Sequence, residues 1–135
     1  MKVEQVAAAY AVEDASGAGG WVAEHLGFEV LVDLGWYAST RHPDVAVTVD
    51  FVDRGHDTCQ GRPLVSGAML ALVVDAVDEH HSRLAGAGVE VLTAPRTEPW
   101  GQRRCQVSGP GGLVVELVQP VAPDPEWMAA QGLPG

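Results

Sequence analysis

An internal duplication limits the folds open to this chain. Residues 26–31 read Leu-Gly-Phe-Glu-Val-Leu, and residues 87–92 repeat this as Ala-Gly-Val-Glu-Val-Leu. Residues 47–52, Val-Thr-Val-Asp-Phe-Val, match Leu-Val-Val-Glu-Leu-Val at 113–118. Two copies are too few for a solenoid, which needs at least about three repeats. The duplication therefore predicts two modules with the same fold.

Each copy is predicted to have the element order β, α, β, β, β. In the first copy, Asp14 and Ser16 are candidate N-caps for a helix that Gly27 ends. The other elements are expected to be strands at 3–12, 28–34, 36–41 and 45–52 in the first copy. In the second copy we expect a strand at 68–74, a helix at 75–87, a strand at 89–92, a loop at 93–100 and a hairpin ending in strand 113–118.

These elements predict an α+β protein with two curved half-sheets around a trough. With 135 residues and 47% hydrophobic content, the chain has the size of one ordinary domain. We place module one at 3–53, a linker at 54–66, module two at 67–119 and a C-terminal tail at 120–135. The tail contains Trp127, and we expect it to cover a pocket, cover a dimer seam or fray.

Asp50 and Glu116 are carboxylates within apolar strands, and they occupy equivalent positions in the two copies. A charged group in such a setting usually has a functional reason to be there. Because the copies are equivalent, both side chains should face the trough if either one does. The two residues are therefore the first candidates for a functional site.

Charge and composition exclude several function classes. The formal net charge of -10 disfavours binding to phosphate backbones and anionic lipids. The sequence has no apolar run of membrane-spanning length and no signal-peptide pattern, so we expect a cytoplasmic protein. Cys59 and Cys105 are isolated and predict neither a disulfide framework nor a zinc clip.

Several motifs carry a family resemblance. They are Leu26-Gly27-Phe28, Gly88-Val89, Pro99-Trp100-Gly101 and the Gly109-Pro110-Gly111-Gly112 turn before Glu116-Leu117. From Val3 to about Gln119, the chain resembles the vicinal oxygen chelate superfamily, which includes glyoxalase I, extradiol dioxygenases, fosfomycin-modifying enzymes and bleomycin-type resistance proteins. The resemblance implies a homodimer whose pockets are shared between chains. It departs from the usual pattern at Gly109, where an acidic residue is common, and at Gly112, where Asn is common.

The resemblance also implies where a metal would bind. Enzymes of the superfamily hold a divalent ion from four strand positions, which correspond here to Ala7, Asp50, Met69 and Glu116. Alanine offers no ligand atom, and two carboxylates without imidazole make a poor zinc or iron site. We therefore expect no metal and no other cofactor.

Without a metal, the sequence most resembles the antibiotic-binding resistance members. We predict a protein that sequesters a bulky aromatic or cationic natural product, of bleomycin type or of polycyclic quinone or enediyne type. The alternative is an enzyme, either an isomerase or lyase or a metal-dependent dioxygenase, that uses Asp50 or Glu116. Arg103 and Arg104 are adjacent in one strand, so only one of them faces the trough. The predicted ligand-binding residues are Trp36, Tyr37, Thr48, Asp50, Met69, Trp100, Arg103 and Glu116.

Overall fold

The computed structural model of the protein describes residues 1–61 and 68–134. Residues 62–66 of the predicted linker, and residue 67 at the predicted start of module two, lie outside the described part. The chain divides into two compact units between residues 66 and 67. Neither unit contains, in its described residues, a helix long and apolar enough to cross a membrane.

The first unit has the element order β, α, β, β, β. Its elements are β1 (Ala7–Val12), α1 (Ala15–Leu26), β2 (Glu29–Asp33), β3 (Tyr37–Arg41) and β4 (Thr48–Asp53). The four strands form one sheet in the order β1-β4-β3-β2. β1 and β4 are parallel, and the other pairs are antiparallel. A short helical turn at Asp57–Cys59 follows β4.

Helix α1 begins and ends at the predicted signals. The Asp14 side chain accepts a hydrogen bond of 3.0 Å from the Gly17 amide, and it thereby satisfies one of the free donors of the first turn. Gly27 ends the helix with a φ of 73°, a left-handed conformation that glycine adopts without strain. Gly19 lies so close to the sheet that an added Cβ would be 3.0 Å from Ala38 Cβ. The helix therefore packs tightly on one face of the sheet.

The second unit repeats this order and adds a helix. Its elements are β5 (Met69–Val73), α2 (Val77–Gly86), β6 (Val91–Glu98), β7 (Gln102–Ser108), β8 (Val114–Pro120) and α3 (Pro125–Ala130). The strand order is β5-β8-β7-β6, with β5 and β8 parallel. The prediction of an α+β protein built from two βαβββ modules is confirmed.

One element boundary was predicted wrongly. Residues 93–98, expected to be a loop, belong to strand β6, which pairs antiparallel with β7. The pairing shifts register between Val91 and Thr93 and again between Thr93 and Arg96. β6 is an edge strand, where the missing amide hydrogen of Pro95 is tolerated. An irregular edge strand that contains proline does not show the alternation by which strands are recognised.

Each sheet has one face covered by a helix and one face without it. Ala38 touches α1 and lies opposite Phe51, so the fully buried Phe51 belongs to the helix-covered face. In the second unit, Cys105 and Val107 on β7 are buried in the same way. Because strand residues alternate, the residues between these point to the opposite face, which carries the predicted site.

The two thiols should differ sharply in reactivity. Cys105 is fully buried, and burial, together with the negative charges of Asp78 and Glu116, raises the pKa of its thiol. The thiolate is the reactive form, so we expect a thiol reagent such as dithionitrobenzoate at pH 8 to label only the half-buried Cys59 in the native protein. Both thiols should react in denaturant. Rapid native labelling of a Cys59→Ser variant would contradict this placement.

Candidate functional site

Asp50 lies at the centre of the face of the first sheet that α1 does not cover. It is directly opposite Ala9 on β1 and Ser39 on β3. The Ser39 hydroxyl donates a hydrogen bond of 2.7 Å to Oδ1, and the Tyr37 hydroxyl donates one of 2.9 Å to Oδ2. Asp50 is only 7% exposed. Hydroxyls of the chain itself therefore solvate both oxygens of this carboxylate.

Glu116 occupies the corresponding position in the second sheet. It lies directly opposite Ala71 on β5 and Gln106 on β7. Arg104 Nη1 donates to Glu116 Oε1 at 2.8 Å, and Gln106 Nε2 donates to the same oxygen at 3.2 Å. This carboxylate also receives its hydrogen bonds from its own sheet.

The two arrangements are built alike, as the sequence repeat predicts. We call Asp50, Tyr37 and Ser39 the first cluster. In each sheet the carboxylate is on the last strand of the module and its donors are on the preceding strand. One donor is directly across from the carboxylate, and the other is two residues earlier in that strand.

The second cluster contains a further carboxylate. We define it as Glu98, Arg104, Gln106 and Glu116. Arg104 Nε donates to Glu98 Oε1 at 3.2 Å, and the same Glu98 oxygen accepts a hydrogen bond from Arg96. The side chains of Arg104, Glu98 and Glu116 are 17%, 10% and 13% exposed. Arg104 is therefore held between two carboxylates that are largely shielded from water.

The two adjacent arginines face opposite sides of the second sheet. Arg103 donates from Nε and Nη2 to the two carboxylate oxygens of Asp78 on α2, at 2.6 and 2.7 Å. These hydrogen bonds lower the pKa of Asp78 and raise that of Arg103. Arg103, which the sequence places in the ligand site, thus lies on the helix-covered face. Its neighbour Arg104 lies beside Glu116, because strand residues alternate between faces.

The predicted aromatic residues lie at the ends of their sheets. Trp36 stacks on His56 with ring centroids 3.7 Å apart and planes 8° from parallel. This pair belongs to an open cleft of 460 Å³ lined by Glu13, Trp36, Asp53, Arg54, Gly55 and His56. In the second unit, Trp100 is 40% exposed, and the Arg104 guanidinium carbon lies 6.0 Å from its ring centroid. An exposed indole with a neighbouring cation can stack on a planar ligand.

The two remaining predicted residues differ in exposure. Thr48 is buried at the start of β4, directly opposite Ala7. Met69 at the start of β5 is half exposed, and its sulfur lies 3.7 Å from Gln106 Nε2. Met69 is therefore accessible on the same face as the second cluster, whereas Thr48 contributes to the floor of its sheet.

The sequence matches one protein family over most of its length. The family model described as "Glyoxalase/Bleomycin resistance protein/Dioxygenase superfamily" matches residues 3–117. The chain belongs to this superfamily. No curated protein sequence matches it.

Solved structures share the fold of this superfamily member. TnmS3, described as an antibiotic binding protein from a Streptomyces species, is 28% identical, with a TM-score of 0.72 over 89% of this chain and 98% of that chain. TioX from a Micromonospora species is 20% identical, with a TM-score of 0.70 and coverage of 88% and 100%. Lactoylglutathione lyase from Agrobacterium tumefaciens is 18% identical, with a TM-score of 0.69 and coverage of 87% and 94%. The last two similarities show the fold alone.

The residues of this superfamily member do not fit a divalent metal. The residues directly opposite the two carboxylates on the neighbouring parallel strands are Ala9 and Ala71, which have no ligand atoms. Arg104 places a positive charge against Glu116, where a cation would have to approach. Within residues 1–61 and 68–134, no three His, Cys, Asp or Glu side chains come together in a possible metal site.

Several residues of the clusters were missed by sequence reasoning. Ser39 and Gln106 pair directly with the carboxylates across the sheet, and finding them requires the strand register, which the sequence repeat does not supply. Glu98 was placed in a loop, which hid its position in strand β6. His56 and Trp127 contact the predicted tryptophans only through the tertiary fold.

The phenol of Tyr37 should lose its proton at a higher pH than an ordinary tyrosine does. Burial, and then its hydrogen bond to the negative Asp50, raise the pKa of Tyr37 above its ordinary value of 10.0. Because the pKa of Tyr37 is raised in the folded state, the protonated phenol contributes its full share to the stability of the fold below about pH 10. This contribution is lost as the pH rises through the folded-state pKa. We expect ultraviolet titration of a Tyr10→Phe variant, which leaves Tyr37 as the one tyrosine, to give a pKa above 10.0. A lower value would contradict the contact with Asp50.

Proposed function

We propose that this protein binds a bulky aromatic antibiotic, holds it without a metal and without chemical change, and so lowers its free concentration. The proposal rests on the hydrogen bonds that Asp50 and Glu116 already make within their own sheets. At positions where the superfamily offers metal ligands, both carboxylates accept hydrogen bonds from neighbouring side chains of this chain. The similarity to TnmS3, an antibiotic binding protein, supports the same function class.

The chemistry of the site favours a flat or cationic ligand. Trp100 offers an exposed indole face, and aromatic faces stack on planar rings and attract cations. The formal charge of -10 favours the approach of cationic molecules. The proposed ligands are therefore natural products of bleomycin type, which are cationic, or of polycyclic quinone or enediyne type, which are planar.

The proposed ligand-contacting residues lie on the sheet faces that the helices leave uncovered and, for Trp36 and Trp100, at the ends of the sheets. Arg104 replaces the predicted Arg103 in this set, because Arg104 is on the same face as Glu116. The proposed set is Trp36, Tyr37, Thr48, Asp50, Met69, Trp100, Arg104 and Glu116.

A titration of intrinsic fluorescence tests the proposal. The four tryptophans include Trp36 and Trp100, so a bound aromatic antibiotic should quench their emission. We expect saturable quenching by at least one compound from a panel of bleomycins, anthraquinones and enediynes, in buffer that contains a chelator. Mass spectrometry should then recover the compound unchanged. Conversion to a product would instead support the enzymatic alternative, in which Asp50 or Glu116 acts on the substrate.

We also propose that the protein is a cytoplasmic homodimer, as the superfamily resemblance implies. Sedimentation velocity measured at micromolar concentration should give the mass of two chains, that is, twice 14.2 kDa. Sedimentation as a single chain over the same range would contradict the dimer. It would leave ligand binding by each chain as a separate question.

A further inference from the structure

The C-terminal segment is fastened to the turn that carries Trp100. The Val121 amide donates to the Gly101 carbonyl at 2.9 Å, and the Asp124 amide donates to the Pro99 carbonyl at 2.8 Å. Gly101 has a φ of 101°, and a Cβ there would lie 3.0 Å from the Val121 carbonyl oxygen. A side chain there would crowd this oxygen, and the positive φ also favours glycine. The segment after β8 therefore has a defined place against the β6–β7 turn.

This attachment brings a second indole to Trp100. The Asp124 side chain accepts a hydrogen bond of 3.0 Å from the Glu126 amide at the start of α3. The half-buried Trp127 on α3 then lies with its ring centroid 5.9 Å from that of Trp100, with the planes inclined by 52°. Trp100 is also held by a hydrogen bond of 2.7 Å that its Nε1 donates to Gln102 Oε1. The two inclined indoles form a corner, in which Trp100 is the more exposed ring.

Arg104 supplies hydrogen-bond donors beside this corner. Its guanidinium carbon is 6.0 Å from the Trp100 ring, Nε donates to Glu98 and Nη1 donates to Glu116. Arginine has five N–H donors. Within the described part of the chain, Nη2 makes no hydrogen bond. The two carboxylates hold the guanidinium in place and leave Nη2 available to an acceptor.

We infer that Trp100, Trp127 and Arg104 form a subsite for a flat aromatic ring that carries a carbonyl or phenolate oxygen. The ring packs against the two indoles, and the oxygen accepts a hydrogen bond from Arg104 Nη2. This inference rests on the proposed function and deepens it, because it assigns the ring and its oxygen to named residues and adds the C-terminal helix to the binding site.

Calorimetric titration with two matched probes tests the subsite. Anthraquinone-2-sulfonate has ring carbonyl oxygens, whereas anthracene-2-sulfonate has the same fused rings and sulfonate without those oxygens. The sulfonate is common to both probes, and only the anthraquinone adds ring carbonyls that can accept from Arg104 Nη2. We therefore expect the wild-type protein to bind the anthraquinone at least about tenfold more tightly. Equal affinity for the two probes would contradict the role of Arg104.

Substitution of Trp127 tests the contribution of the C-terminal helix. Trp127→Ala should weaken anthraquinone-2-sulfonate binding about tenfold, and Trp127→Phe, which keeps an aromatic ring, about threefold. Met128→Ala is the matched control, since Met128 is half-buried on the same helix. It should change affinity by less than about twofold.

The outcomes separate this inference from the proposed function. If both Trp127 variants bind the anthraquinone as tightly as the wild type, the C-terminal helix is not part of the site and the inference is wrong, while ligand binding stands. If the wild type binds neither probe, the inferred ligand chemistry is wrong. The proposed function is then decided by the antibiotic panel. Thermal unfolding of each variant checks that the helix change has not unfolded the protein.

Discussion

Replacing Arg104 with methionine should lower the free energy of unfolding by about 2–4 kcal/mol. Methionine fills similar space but leaves Glu116 with Gln106 as its remaining donor, and Glu98 with Arg96. Removing one partner of a largely buried ion pair costs more than the pair contributes, because an uncompensated charge remains in a poorly solvated place. Urea denaturation of the variant and the wild type measures this loss.

Two further variants test whether the lost ion pair causes the lower stability of Arg104→Met. Arg104→Lys keeps the charge but loses the planar fork that reaches both carboxylates, so we expect an intermediate loss. Glu116→Gln introduced with Arg104→Met should restore part of the stability, since it removes the uncompensated charge. If the double variant is as unstable as the sum of the two single variants, Arg104 and Glu116 are not coupled and the described contact is wrong.

Removing both hydroxyls that donate to Asp50 should lower the free energy of unfolding by about 3–6 kcal/mol. Tyr37→Phe and Ser39→Ala each delete one hydrogen bond to a carboxylate that is 7% exposed. Hydrogen bonds to charged groups are worth about 1.5–3 kcal/mol each, and the two act on different oxygens. The double variant leaves the charge of Asp50 without either donor.

Asp50→Asn is the control for this second prediction. In the wild-type background the amide can still accept from one hydroxyl, so the loss should be small. In the Tyr37→Phe and Ser39→Ala background, removing the charge should recover stability. If the double variant unfolds at the same urea concentration as the wild type, the two hydroxyls do not stabilise Asp50 in the folded protein.

The fold could be predicted largely because its signals are local and occur twice. Helix α1 has a capping aspartate and a terminal glycine, and both act within one turn of the helix. The repeat placed Asp50 and Glu116 at equivalent positions, and the strand register has them directly opposite Ala9 and Ala71. A residue two positions along a strand faces the same way, so once Tyr37 is placed on the Asp50 side, alternation places Ser39 there as well.

The second cluster depends on information that is not local. Whether Arg103 or Arg104 faces Glu116 depends on which residues of β7 point to each face of the sheet. Because the pairing of β7 with β6 shifts register, the sequence alone does not show this. Glu98 becomes a partner of Arg104 only because the edge strand continues past Pro95. The contact between Trp100 and Trp127 is made by main-chain hydrogen bonds of the C-terminal segment, which have no sequence signature.

Asp50 and Glu116 are held by donors of their own chain, and we propose that neither is a metal ligand. Elemental analysis tests this most directly, on protein equilibrated with zinc, manganese, nickel and iron(II) and then desalted with and without a chelator. We expect that no metal is retained in stoichiometric amount under either condition. One ion per chain, removed by the chelator and lost in both Asp50→Asn and Glu116→Gln variants, would contradict it.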